Sequence, residues 1–253
     1  MTDLVTLRDY FQLGRDRARN HLIAHAREHR SSLEGLEDAM AACVRVEISR
    51  PSRRGFRSVS SASGVLLEGG LVLTAGHAVH GQRDAELSIQ LVDGRRLEAR
   101  LRESEYLLNV SGRDWALLEV VQPPLDLASA KLGVVGLGDL VVVPGYPARH
   151  GVDPTGRVVL GDGIDILKPI PLVSRVSSVS PLSLEPVAGS LPLGGASGAP
   201  VFNMKGQLLG LFVGMSETRS EGVILRECMA TGTTVVEAVM AESVRRIAQQ
   251  DAR

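Results

Sequence analysis

Cysteine is nearly absent from this sequence. Its 253 residues include two, Cys43 and Cys228. They stand far apart, and two cysteines make no disulfide framework, so both are expected to be free thiols. Charge of one sign is lacking as well. Lys and Arg together number 28 against 29 Asp and Glu, for a formal net charge of −1. Arginine dominates the basic residues, and they are spread along the chain as on a solvated surface. This excludes the basic footprint of a nucleic-acid or anionic-membrane binder. Long apolar runs are missing too, and none reaches the length of a membrane span. The first twenty residues, "MTDLVTLRDYFQLGRDRARN", break every apolar stretch with Asp or Arg, so no secretory signal is read there. The expectation is a soluble cytoplasmic protein with no nucleic-acid and no membrane partner. Apolar residues are plentiful at 44%, enough for the core of one large β domain or two small ones.

Residues 4 to about 42 differ from the rest of the chain. Leu4, Leu7, Phe11, Leu22, Leu33, Leu36 and Met40 recur at helical spacing among charges. This predicts two helices broken near Ser31-Ser32. The stripe must be buried against something, either the rest of the protein or a partner. Within the segment, "HLIAHAREH" sets His21, His25 and His29 four apart on one helical face. That spacing can chelate a metal, but no Cys or carboxylate cluster completes a site. A solvated polar face is expected, with no metal and no cofactor.

From Cys43 onward the pattern is β. Short stretches, many of them alternating, occur at 44–48, 64–68, 71–76, 87–94, 96–101 and 115–120. Turn signals such as Glu68-Gly69-Gly70 and Asp93-Gly94 separate several of them. "VVQPPLD" breaks the series, and a second set occupies 139–147, 156–160, 174–180, 182–187, 199–203, 207–215 and 222–232. Two β halves parting near residues 121–137 suggest barrels or a sandwich. The end of the chain carries Val235, Val239, Val244, Ile247 and Ala248 roughly on one helical stripe.

One serine stands among small residues in "GGASGAP", Gly194 to Pro200. As a nucleophile Ser197 needs a base, because its hydroxyl is weakly nucleophilic at neutral pH, and histidine is the usual base. All six histidines precede Ser197, which argues against the α/β-hydrolase order of Ser, Asp, His. The order His, Asp, Ser remains. His77, in "VLTAGHAVHG", comes after a β-rich run and a turn of small residues. His80 is its rival and lacks that strand-end placement. An orienting carboxylate is offered by Asp114 in "SGRDWALLEV", at the mouth of an apolar strand, where a buried acid must be paired.

"TAGH", "RDWALL" and "GGASGAPVF", in that order, resemble the trypsin-like (chymotrypsin-fold) serine proteases, with the nearest likeness to bacterial intracellular HtrA-like or glutamyl-endopeptidase-like peptidase domains. "VVVPGYP" and "GQLLGLFVG" are similar to strands of that family's second barrel. The resemblance covers about residues 43–250. It implies a mainly β fold of two packed six-stranded barrels, 43–125 carrying His77 and Asp114, and 126–253 carrying Ser197 and ending in a C-terminal helix. Residues 1–42 would form a helical extension outside the minimal domain, acting as a docking element for a protein partner or as a brace. The resemblance also implies an oxyanion hole from the N–H groups of Gly195 and Ser197. The family's usual acid before the nucleophile is Ala196 here, so activation by a newly cut N-terminus is not expected.

The function so implied is a serine endopeptidase acting on protein or peptide substrates, a dedicated intracellular processing protease. Its rivals are a catalytically inactive trypsin-like fold that serves as a protein-binding module, and an esterase with the same triad. By matching motifs, the primary pocket is walled by Leu191, Pro192 and Leu193 before the nucleophile and by Val213, Gly214 and Met215 after it. With Leu191 where a basic-specific pocket needs a carboxylate, cleavage after a small or medium apolar residue is expected. Glu217 and Glu221, in "SETRSEG", are placed on a solvated loop.

Overall fold

The computed structural model describes residues 32–51, 57–81, 84–107, 113–146, 150–152, 158–160, 169–186, 195–220 and 223–232. The first expected N-terminal helix with its three histidines, the expected C-terminal helix, and Leu191, Pro192, Leu193 and Glu221 lie outside the described residues.

Six antiparallel strands form a closed barrel: β1 (Cys43–Pro51), β2 (Arg57–Leu67), β3 (Leu71–Thr74), β4 (Glu86–Gln90), β5 (Arg96–Tyr106) and β6 (Asp114–Val120), in the spatial order β1-β2-β3-β6-β5-β4. Alternation explains it. Val44, Val46 and Ile48 of β1 and Leu87 and Ile89 of β4 point inward and are buried, while Arg45 and Ser88, on the other face, are only partly so. β6 is the exception. Five consecutive residues, Asp114 to Leu118, are buried, because this strand is covered on both faces.

The second sheet contains β8 (Leu140–Gly145), β11 (Ile170–Val179), β12 (Leu182–Pro186), β13 (Pro200–Asn203), β14 (Gln207–Ser220) and β15 (Val223–Gly232). Its order is β13-β8-β11-β12-β15-β14, and β14 pairs back with β13, so the pairings return to their start. β7 (Lys131–Leu132) joins β14 in parallel, and β9 (His150–Val152) with β10 (Val158–Leu160) makes a separate two-stranded ribbon. The molecule is thus mainly β, built on the double-barrel plan expected of the chymotrypsin fold.

"SETRSEG" departs from the expected loop. β14 continues through Glu217 to Ser220 and pairs in register with β15, Glu217 opposite Arg226 and Ser220 opposite Val223. A neighbouring strand supplies the ladder bonds that the polar composition alone does not suggest.

The second barrel has a core of its own around Val141, Leu184 and Phe212, and another part of it joins the core of the first. Phe202, Met204, Leu208 and Leu211 of the second pack in the same buried cluster as Val65, Leu73 and Leu117 of the first. A helix, Ser32–Ala41, adds Leu36 and Ala39 to that cluster. Its Gly35 lies so close to the β13–β14 turn that a β-carbon there would come within 2.7 Å of the Lys205 carbonyl oxygen. This stretch of the N-terminal extension therefore packs on the protein itself.

Candidate active site

β3 ends at Thr74, and the chain turns through Ala75 into a single helical turn, Gly76–Val79, closed by the His80 N–H donating to the Gly76 carbonyl at 2.9 Å. Gly76 is required by proximity. A β-carbon there would overlap the Glu105 carbonyl oxygen and lie 2.8 Å from that of Trp115. The turn therefore rests flat on the β5–β6 pair, and His77 comes to lie over the first residue of β6.

That residue is Asp114, buried with 7% of its surface exposed. Its Oδ2 is 2.8 Å from His77 Nδ1, and its Oδ1 accepts the His77 backbone N–H at 2.8 Å. A carboxylate has no proton to give, so Nδ1 carries the hydrogen and Nε2 keeps its lone pair. One carboxylate thus sets both the tautomer and the position of the imidazole. The His77 side chain remains one-third exposed, leaving its far edge open to a reactant. His80 is exposed and, among the described residues, meets the Tyr106 ring, with centroids 5.2 Å apart. Asp114 has turned to His77 and not to its rival.

Ser197 is half-buried in the loop before β13. Its neighbour Gly198 (φ +83°) is wedged between barrels, where a β-carbon would overlap the Ser63 carbonyl oxygen and Thr74 Oγ1 and stand 2.8 Å from the Ala75 nitrogen. Ala75 lies two residues before His77, so the serine loop and the histidine turn are held against each other across the barrel interface.

The polar backbone groups of the loop can be traced one by one. The Gly195 carbonyl accepts from Ser63 Oγ and the Ser197 carbonyl from the Ser63 N–H, both at 2.8 Å. The Ala196 carbonyl takes the Ala199 N–H at 2.9 Å, and the Gly198 N–H donates to Phe212 at 2.7 Å. Among the described residues, the N–H groups of Gly195, Ala196 and Ser197 have no partner. Gly195 has φ +91°, which glycine adopts freely. Two of these three N–H groups are the pair expected to form an oxyanion hole.

Of the expected pocket, Val213 is buried, Gly214 half-buried and Met215 40% exposed at the start of the long β14 arm. Cys43 is a free, buried thiol that donates to the Pro144 carbonyl at 3.1 Å. Burial pushes its pKa well up, so it has no thiolate character for chemistry. Among the described residues no cluster of His, Cys, Asp and Glu could hold a metal, and no helix is long and apolar enough to cross a membrane.

Sequence reasoning missed Ser63. It is fully buried in β2, and its hydroxyl also accepts the Tyr146 N–H at 2.8 Å. A hydroxyl in "SSASGVLL", on the face of β2 that it shares with Arg45 and that turns away from the first barrel's interior, was its only signal.

A family model described as a trypsin-like peptidase domain matches residues 62–211, a stretch that contains Ser63, His77, Asp114 and Ser197. No curated protein matches the chain.

Proposed function

The chain belongs to the trypsin-like peptidase family, and on that premise we propose that it is a serine endopeptidase that cleaves protein or peptide substrates through His77, Asp114 and Ser197. Ser197 Oγ attacks the scissile carbonyl while His77 Nε2 takes its proton. Asp114 stabilises the imidazolium that forms. The N–H groups of Gly195 and Ser197 receive the oxyanion of the tetrahedral intermediate, where fixed donors act on developing charge. Collapse expels the amine, protonated by His77, and leaves an acyl-enzyme. Water, deprotonated by the same imidazole, then releases the acid and restores Ser197.

The observation that carries this reading is the two-point hold of Asp114 on His77, at Nδ1 and at the backbone N–H, both 2.8 Å. A carboxylate that served only to pair a buried charge would have no need to grip the imidazole and its own backbone together. A role as an intracellular processing enzyme in the cytoplasm, with a preference for small or medium apolar residues before the scissile bond, belongs to the same proposal.

The test is labelling by a fluorophosphonate probe together with hydrolysis of peptides that differ only at the residue before the cut. Wild type is expected to be labelled and to cleave after Leu faster than after Arg. Ser197→Ala is expected to lose both properties while melting normally. Labelling that persists in Ser197→Ala would remove the assignment, and faster cutting after Arg would remove the apolar preference alone.

A further inference from the structure

The loop Gly195-Ala196-Ser197-Gly198-Ala199 has a positional problem. Its only polar side chain is that of Ser197, the group proposed to react. Two of its residues sit at positive φ, Gly195 at +91° and Gly198 at +83°, where glycine gives the backbone freedom but no rigidity. β14 holds the far end of the loop, where Gly198 and Ala199 bond to the Phe212 backbone, and the restraint on Gly195 and Ser197 comes from one residue of the other barrel.

We propose that Ser63 is the positioning residue that holds this loop in its oxyanion-binding form, an inference that rests on Ser197 being the nucleophile. Ser63 uses every polar group it has. Its hydroxyl donates to the Gly195 carbonyl and its N–H to the Ser197 carbonyl, both at 2.8 Å. Holding both carbonyls on the Ser63 side fixes the Gly195–Ala196 and Ser197–Gly198 peptide planes, which flank the plane that carries the Ser197 N–H. The hydroxyl oxygen meanwhile accepts the Tyr146 N–H at 2.8 Å, just beyond the end of β8. The Ser63 carbonyl accepts Thr74 Oγ1–H at 2.6 Å, which ties the hub to the strand that leads into His77. One fully buried residue, through its side chain and its backbone, thus links the serine loop, the second barrel and the histidine strand. Because the hydroxyl hydrogen is spent on Gly195 and a lone pair on Tyr146, its rotor has a single orientation. Tyr146 is itself buried, so no water competes for its N–H.

A merely structural Ser63 and a positioning Ser63 make different predictions for Ser63→Ala. Freeing the Gly195 carbonyl lets the loop shift, and small displacements of reacting groups cost up to about 100-fold in rate. The experiment measures kcat, KM and peptide-boronate affinity per folded molecule, well below the melting temperature. The expected result is a fall in kcat of about 10- to 100-fold with a parallel fall in boronate affinity, while KM stays within about twofold. Ser63→Cys keeps the site filled with a poorer donor and is expected to fall between Ser63→Ala and wild type. If Ser63→Ala melts lower but turns over at the wild-type rate, Ser63 only packs, and the inference is overturned while the peptidase reading stands. If wild type shows no turnover that Ser197→Ala removes, the peptidase reading fails and the inference with it.

Discussion

The two halves of the candidate site are held by opposite means. On the first-barrel side, side chains do the holding: Asp114 grips His77 at two points, and both grow from the ends of strands locked in a closed barrel. On the second-barrel side, the backbone does it. The Ser197 loop is fixed through its carbonyls and through glycines that let it lie against its neighbour. The first half therefore fails when an atom is taken away, whereas the serine loop, besides depending on Ser63, also fails when one is added.

Three substitutions sharpen that contrast. The largest effect on rate is expected from Asp114→Asn, which keeps the shape but gives Nδ1 a donor to face. The tautomer is spoiled, and kcat is expected to fall about 10⁴-fold with little change in melting temperature. A loss under tenfold would show that Asp114 is not the orienting group. Gly198→Ala is the counterpart on the other side. Its added methyl meets Ser63 and Thr74 at a positive φ, so a stability loss of about 3 kcal/mol is expected along with a fall in kcat of about 100-fold. A denaturant melt matching wild type would refute the close packing. The smallest effect is expected from His80→Ala. This exposed ring lies beyond the reach of Asp114's grip, and a change of about twofold or less in kcat/KM is expected. A loss comparable to that of His77→Ala would move the base from His77 to His80.

Much of this was legible in the sequence, and the features that were not share a common cause. β1, β4 and β6 announce themselves by apolar alternation or by a continuous apolar run. His77, Asp114 and Ser197 stand at strand ends where small residues or a lone acid break the pattern. β7 was not foreseen, since two residues, Lys131 and Leu132, carry no period and are strand only because β14 lies alongside. The three residues of β9 were missed for the same reason. The polar run at 216–220 read as loop because its composition is hydrophilic, although β15 offers it a complete ladder. Ser63 is the sharpest case. Its partners Tyr146 and Gly195 lie far along the chain, the latter 132 positions away, and no local rule connects a strand serine to a glycine in another barrel. Local pattern reports what a residue is. Its partners become visible only when remote segments meet.

The packing of Gly35 against the β13–β14 turn has a consequence for the order in which the protein is made. The helix Ser32–Ala41 leaves the ribosome early, yet its seat is the Lys205–Gly206 turn, where a β-carbon at Gly206 would come within 2.6 Å of the Gly35 carbonyl carbon. That seat is synthesised only after the serine loop. A helix of ten residues is marginal in water without packing, so for most of translation Leu36 and Ala39 have no finished surface to cover. Contacts this distant in the chain are slow to form because the loop entropy is spent before they are made. The hairpin that follows Ser197 is thus also the one that lets the helix Ser32–Ala41 come to rest.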